Sequence, residues 1–76
     1  MKLSYDPKAN IAYVRLHEKC GTVTTLKISD AVNIDVAADG TVYGIELLNA
    51  NEQLAVDHGR LIVETGGSRQ EIALVA

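Results

Sequence analysis

His17 and Cys20 stand three positions apart, a spacing that can begin a zinc site. Zinc takes about four ligands at set positions. The chain holds one other histidine, His58, and no second cysteine, so no metal centre is expected. The same pair could be drawn as nucleophile and base, but activation needs hydrogen-bond contact and a third, orienting group, and a polar loop supplies neither. Asp35, Glu46 and Asp39 invite an acid/base or calcium reading. Calcium, however, wants about six to eight oxygens on a loop built for them, and no Asp-x-Asp-x-Asp-Gly run is present. The plainer reading is a solvated polar face, with Asp39 serving a turn. Tyr13, Arg15, Asp35 and Glu46, with Asn33 nearby, form the one candidate recognition face, since Tyr and Arg are enriched at binding hot spots. Against it stands a surface ion pair between Arg15 and Glu46, with Tyr13 covering sheet edges. No catalytic constellation can be assembled, and neither an enzyme nor a bound cofactor is expected.

These side chains need elements to hold them. The dominant pattern is period-two alternation rich in Val, Ile, Thr and Tyr, which predicts strands with one buried face. A first hairpin joins residues 1–6 to 11–17. Pro7 presets φ for its turn, and the Asp6 carboxylate can accept from backbone N–H groups just ahead. With Pro7-Lys8-Ala9-Asn10 as the loop, Leu3 faces Val14, Tyr5 faces Ala12, and Lys2, Ser4, Tyr13 and Arg15 share the other side. A polar connection follows over 18–21. A strand over about 22–28 has faces blurred by three threonines, as at a sheet edge or a subunit boundary.

The central hairpin alternates Val32, Ile34 and Val36 with Asn33, Asp35 and Ala37. Asp39-Gly40 is a favoured two-residue turn because both residues tolerate positive φ. Folding there sets Val36 against Tyr43, Ile34 against Ile45, Val32 against Leu47, Asn33 against Glu46 and Asp35 against Gly44. A glycine inside a strand marks a bulge or a close backbone approach. Residues 49–58 read as a short helix capped by Asn49, with Glu52 returning the bond, Leu54 as inward anchor and Gly59 as a left-handed stop. A last hairpin joins about 60–65 to 68–75 through Gly66-Gly67, with Leu61 facing Ile72, Val63 facing Gln70, and Glu64 facing Arg69 as an opposite-charge pair. Gly66-Gly67 precedes a strand, not a helix, so it is no phosphate loop. The apolar tail Ile72-Ala73-Leu74-Val75-Ala76 is expected to pack on the helix or on a second subunit. The sum is one α+β domain over residues 1–76, of mostly antiparallel β-hairpins (six to seven strands) with one short helix.

The stretches Tyr5-Asp6-Pro7 and Ala12-Tyr13-Val14-Arg15-Leu16, then Asp35, Asp39-Gly40, Gly44-Ile45-Glu46-Leu47-Leu48 and Ala50, resemble a small bacterial and archaeal family catalogued as domain of unknown function 2283. The resemblance spans about residues 1–52 and leaves 53–76, with the last hairpin, as an extension. It implies a compact sheet of hairpins and no assigned activity. Through members encoded beside small toxin-like proteins, it also implies an antitoxin-like alternative. Asn49 departs from the Asp that members often carry there.

Bulk composition narrows the partners. The formal charge is −3, and the seven basic residues are scattered singly. Nucleic-acid binding needs clustered cations and membrane-surface binding a basic amphipathic helix, so neither is expected. No apolar run approaches the roughly 18 residues of a membrane span, and Met1 to Pro7 lacks the apolar stretch of a secretory signal. A single cysteine allows no intrachain disulfide, which makes a reducing cytoplasm the default. With 76 residues, no Phe, no Trp and three Tyr, the core is built from small aliphatics, and chains below about 80 residues rarely gain more than ~3–5 kcal/mol from one core. The expectation is a homo-oligomer, dimer or higher: a self-associating interaction module, with an antitoxin-like partner or a small-ligand binder as alternatives.

Overall fold

The computed structural model describes residues 1–18, 21–55 and 59–74. Alternation and turn chemistry agree in the first hairpin, β1 (Lys2–Asp6) and β2 (Ile11–Arg15). Asp6 Oδ1 accepts from the N–H groups of Lys8 (3.0 Å) and Ala9 (3.2 Å), and Asn10 closes the loop with φ 60°. The register is the expected one, Leu3 opposite Val14 and Tyr5 opposite Ala12. Strand β3 (Val23–Lys27) is an edge, as its blurred faces predict, and pairs only with β4 (Val32–Ala37). With β5 (Val42–Leu48) these form an antiparallel five-stranded sheet in the order β1-β2-β5-β4-β3.

The turn between β4 and β5 departs from expectation. Gly40 alone has positive φ (89°), so Asp39 does not take the left-handed position that a two-residue turn would require. Instead Gly40 N–H donates to Ala37 O (3.0 Å) and Ala37 N–H to Thr41 O (2.8 Å), closing a three-residue loop, Ala38-Asp39-Gly40. Val36 therefore faces Val42 rather than Tyr43. Tyr43 is then the extra residue of a bulge, after which Asp35 faces Gly44, Ile34 faces Ile45 and Val32 faces Leu47, as the alternation demands. An uncorrected one-residue slip would have turned every side chain to the other face. The bulge carbonyl is used: Tyr43 O accepts from Leu16 N–H (2.8 Å) and His17 N–H (3.3 Å).

Helix α1 (Ala50–Ala55) follows directly. Asn49 O accepts the first helical bond from Gln53 N–H (3.1 Å), but Asn49 sits at φ 54°, not in the extended conformation from which a capping side chain reaches the next turn. The cap comes from the first hairpin. Asn10 Oδ1 accepts from Asn51 N–H (2.7 Å) and Asn10 O from Ala50 N–H (3.1 Å). Glu52 is exposed and, among the described residues, makes no return bond. Asn51 Nδ2 donates to Pro7 O (3.1 Å), and Tyr5 Oη donates to Asn51 Oδ1 (2.6 Å). Gln53 Nε2 donates to Ala31 O (3.1 Å) and to Leu48 O on the other side. Ala50 rather than Leu54 is the buried anchor; Leu54 is half-buried. Residues 56–58, expected to end the helix, lie outside the described part, while Gly59 has the left-handed φ (65°) of the predicted stop.

Strands β6 (Arg60–Thr65) and β7 (Ser68–Ala73) form a separate hairpin in the expected register, with positive φ at Gly66 (58°). Glu64 faces Arg69, but the arginine turns to its own strand. Glu71 Oε1 accepts from Arg69 Nη2 (2.8 Å) and from Arg60 Nη1 (3.0 Å), so one carboxylate joins both guanidinium groups. Leu74 N–H donates to Gly59 O (2.8 Å), extending the ladder. Of the apolar tail, Leu74 is half-buried. Ile72 is 48% exposed and Ala73 exposed, while Val75 and Ala76 lie outside the described part.

Candidate functional site

The register places two rows of polar side chains across one face of the sheet. Lys2, Arg15, Gly44, Asp35 and Thr25 form one row, from β1 through β2, β5 and β4 to β3. Ser4, Tyr13, Glu46, Asn33 and Lys27 form the next. The two rows are joined by Tyr13. Its ring passes over Gly44, and its hydroxyl donates to Asp35 Oδ2 at 2.7 Å, two strands away. A Cβ at position 44 would stand 2.1 Å from the Tyr13 hydroxyl oxygen and 2.3 Å from the ring carbon that bears it. Gly44 is therefore the close approach that its place inside a strand predicts, as well as a neighbour of the bulge. From the far side, Thr25 Oγ1 donates to Asp35 Oδ1 at 2.6 Å. Glu46 Oε1 accepts from Asn33 Nδ2 at 3.0 Å.

Three of the four candidate residues thus meet. Tyr13 and Asp35 bond directly, and Glu46 lies beside Tyr13 in register. Arg15 does not join them. It is exposed next to Lys2 and makes no hydrogen bond or ion pair among the described residues, so the expected pair with Glu46 is replaced by Asn33. A short amide directly across the ladder holds the carboxylate with less side-chain ordering than a long guanidinium would need. Donation to Asp35 fixes the Tyr13 proton. That bond, burial and the nearby charges of Asp35 and Glu46 push the phenol up to about 12. Asp39 is displaced the other way, its carboxylate favoured by the Thr41 N–H at 2.9 Å, as befits a turn residue.

Sequence reasoning missed Thr25, the second donor to Asp35, because threonines on both sides of the strand leave its two faces alike. It also missed Asn10 and Asn51, whose partners lie 41 and 46 residues away in the chain. His17 is exposed and meets Tyr43 edge-on, with ring centroids 5.9 Å apart. Cys20 and His58, the remaining members of the zinc reading, lie outside the described residues. Among the described residues no group of three potential metal ligands gathers, and no helix is long and apolar enough to cross a membrane.

The opposite face carries Leu3, Val14, Ile45, Ile34 and Leu26 in one continuous row over all five strands. A cleft of about 320 Å³ opens there between the first hairpin and β6, lined by Met1, Leu3, Val14, Leu61 and Val63. All five linings are apolar, whereas a specific small-molecule pocket also needs a few convergent polar groups. The polar candidate residues are on the other side of the sheet.

A five-stranded antiparallel sheet with its helix latched to the first hairpin, and a polar network closed across four strands, defines a small α+β protein of hairpin construction. The chain belongs to the family described as Protein of unknown function (DUF2283), whose model matches residues 2–51. The match takes in the whole five-stranded sheet and ends at Asn51, the latch residue; β6 and β7 lie beyond it. Neither a curated protein nor a solved structure matches this chain.

Proposed function

We propose that the chain is a non-catalytic interaction module that associates with further copies of itself. The observation that carries this reading is the apolar face, which the last hairpin meets at one end only. Among the described residues the only buried hydrophobics are Ala12 and Ala50, and no large side chain is fully buried. The chain exposes 5514 Å², whereas a folded monomer of this mass is expected to expose about 4,500 Å². The difference, about 1,000 Å², is close to the ~800 Å² that each partner contributes to a standard protein interface. The non-catalytic part is supported by the chemistry of the polar face. Both oxygens of Asp35 and one of Glu46 already accept from Tyr13, Thr25 and Asn33 within the sheet, which is the work of a structural network. Light scattering coupled to size exclusion at low micromolar concentration tests the reading. A mass of two or more times 8.2 kDa is expected; a lasting 8.2 kDa species overturns it.

A further inference from the structure

Self-association leaves open which surface meets which. The β6–β7 hairpin reaches only one end of the apolar row, where Leu61 and Val63 stand over Leu3 and Val14. The other end, on β4 and β3, is not reached by β6 or β7 in the cleft that Leu61 and Val63 line. Leu26 is 47% exposed and Ile28 beyond it 59%, while Val32, Ile34 and Val36 are only half-buried. The molecule measures 35 × 31 × 18 Å. Stable domains close such a face with a second layer, and two sheets packed face to face stand about 10 Å apart.

We propose, resting on the self-association reading, that a second copy of this chain supplies that layer. The β3–β4 half of one apolar face packs on the same half of the other, making a two-layer sandwich around a two-fold axis. A two-fold contact must be self-complementary, with the same patch on both sides. The patch meets that condition: Leu26, Ile34, Val32, Val36 and Thr24 carry no charge, so joining two copies sets no like charges together. It also offers nothing for a charged partner to read. Edge pairing through β3 is the rival geometry. It would satisfy backbone groups along Val23–Lys27 but leave the Leu26 and Ile34 side chains in water, and an exposed Lys27 on that strand is a residue type that discourages edge pairing.

The test compares the wild-type chain with Leu26→Asp by light scattering across a dilution series, with far-UV circular dichroism to verify folding. The wild type is expected as a dimer. A carboxylate driven into an apolar contact is expected to weaken dimerisation about a hundredfold or more, leaving a folded monomer. A folded Leu26→Asp dimer as tight as wild type overturns the face-to-face geometry while the self-association reading stands. A wild-type monomer removes both. Should Leu26→Asp fail to fold, hydrogen exchange on the wild type decides. Outward-pointing amides of Val23–Lys27 that exchange equally fast in monomer and dimer support the sandwich; amides protected only in the dimer place the contact on the edge and overturn it.

Discussion

On one face of the sheet, Tyr13, Asp35, Thr25, Asn33 and Glu46 satisfy one another across four strands within a single chain. On the other, the row from Leu3 to Leu26 is covered at one end by Leu61 and Val63 and half-open at the other. The same strands build both, so the difference lies in what each kind of surface requires. A hydrogen bond is pairwise and can be completed by a neighbour in the same layer. Apolar area leaves water only when something lies on top of it. The polar face can therefore be completed within one chain, while the apolar face needs a covering layer.

The largest expected effect breaks the polar face at its narrowest point. Gly44→Ala sets a methyl group where the Tyr13 ring lies, forcing the ring off Asp35. Overpacking and the loss of the bond to a part-buried carboxylate each cost about 1–3 kcal/mol, and together about 2–3 kcal/mol is expected here because the ring can swing partly into solvent. Urea denaturation at one fixed protein concentration measures it. The same Gly44→Ala change in a Tyr13→Ala background is expected to be neutral or stabilising, since alanine suits a strand better than glycine. Equal costs in both backgrounds would mean that the ring is not what Gly44 makes room for.

A smaller effect separates the acceptor from its charge. Asp35→Ala leaves two hydroxyls without their acceptor and is expected to cost about 1–3 kcal/mol. Asp35→Asn keeps one carbonyl oxygen, and its amide can donate to a hydroxyl turned round to accept. Its expected cost is below ~1 kcal/mol in the same urea assay. If the two variants lose stability equally, it is the negative charge that the network uses, and the contrast between a hydrogen-bonded face and an apolar face has to be redrawn in electrostatic terms.

How far the sequence foretold this depends on how local each determinant is. Asp6, Pro7 and Asn10 lie within their own turn, and alternation on both sides leaves one register for the first hairpin; Gly66-Gly67 does the same for the last. Asp39-Gly40 does not fix the size of the central turn, because Asp39 tolerates either conformation, yet the pairing from Asp35 onward follows the alternation because the face pattern outweighs the turn and a bulge at Tyr43 absorbs the difference. Adjacency points to Asn49 as the helix cap, whereas the donor groups are met by Asn10 from another element. The Tyr13 contact with Asp35 spans two strands and becomes visible only when β5 is known to lie between them; Gly44 was its one local trace.

The smallest effect reads the network without cutting it. Tyr13 titrates from an ordinary value near 10 to about 12 in the folded chain, first because its hydroxyl donates to Asp35 and then through burial and the charges of Asp35 and Glu46. The folded state favours the protonated phenol, so the contribution is present in full below pH 10 and is lost as the pH rises through about 12. Unfolding by urea at stepped alkaline pH should therefore show stability declining across that window, with phenolate absorbance placing one of the three tyrosines late in the titration. In Tyr13→Phe the late component should vanish and the alkaline decline become shallower. In Leu26→Asp, altered only on the apolar side, the late phenol should remain. Loss of that component on changing the far face would show that the two faces are coupled through the sheet, and that the polar network depends on the second layer after all.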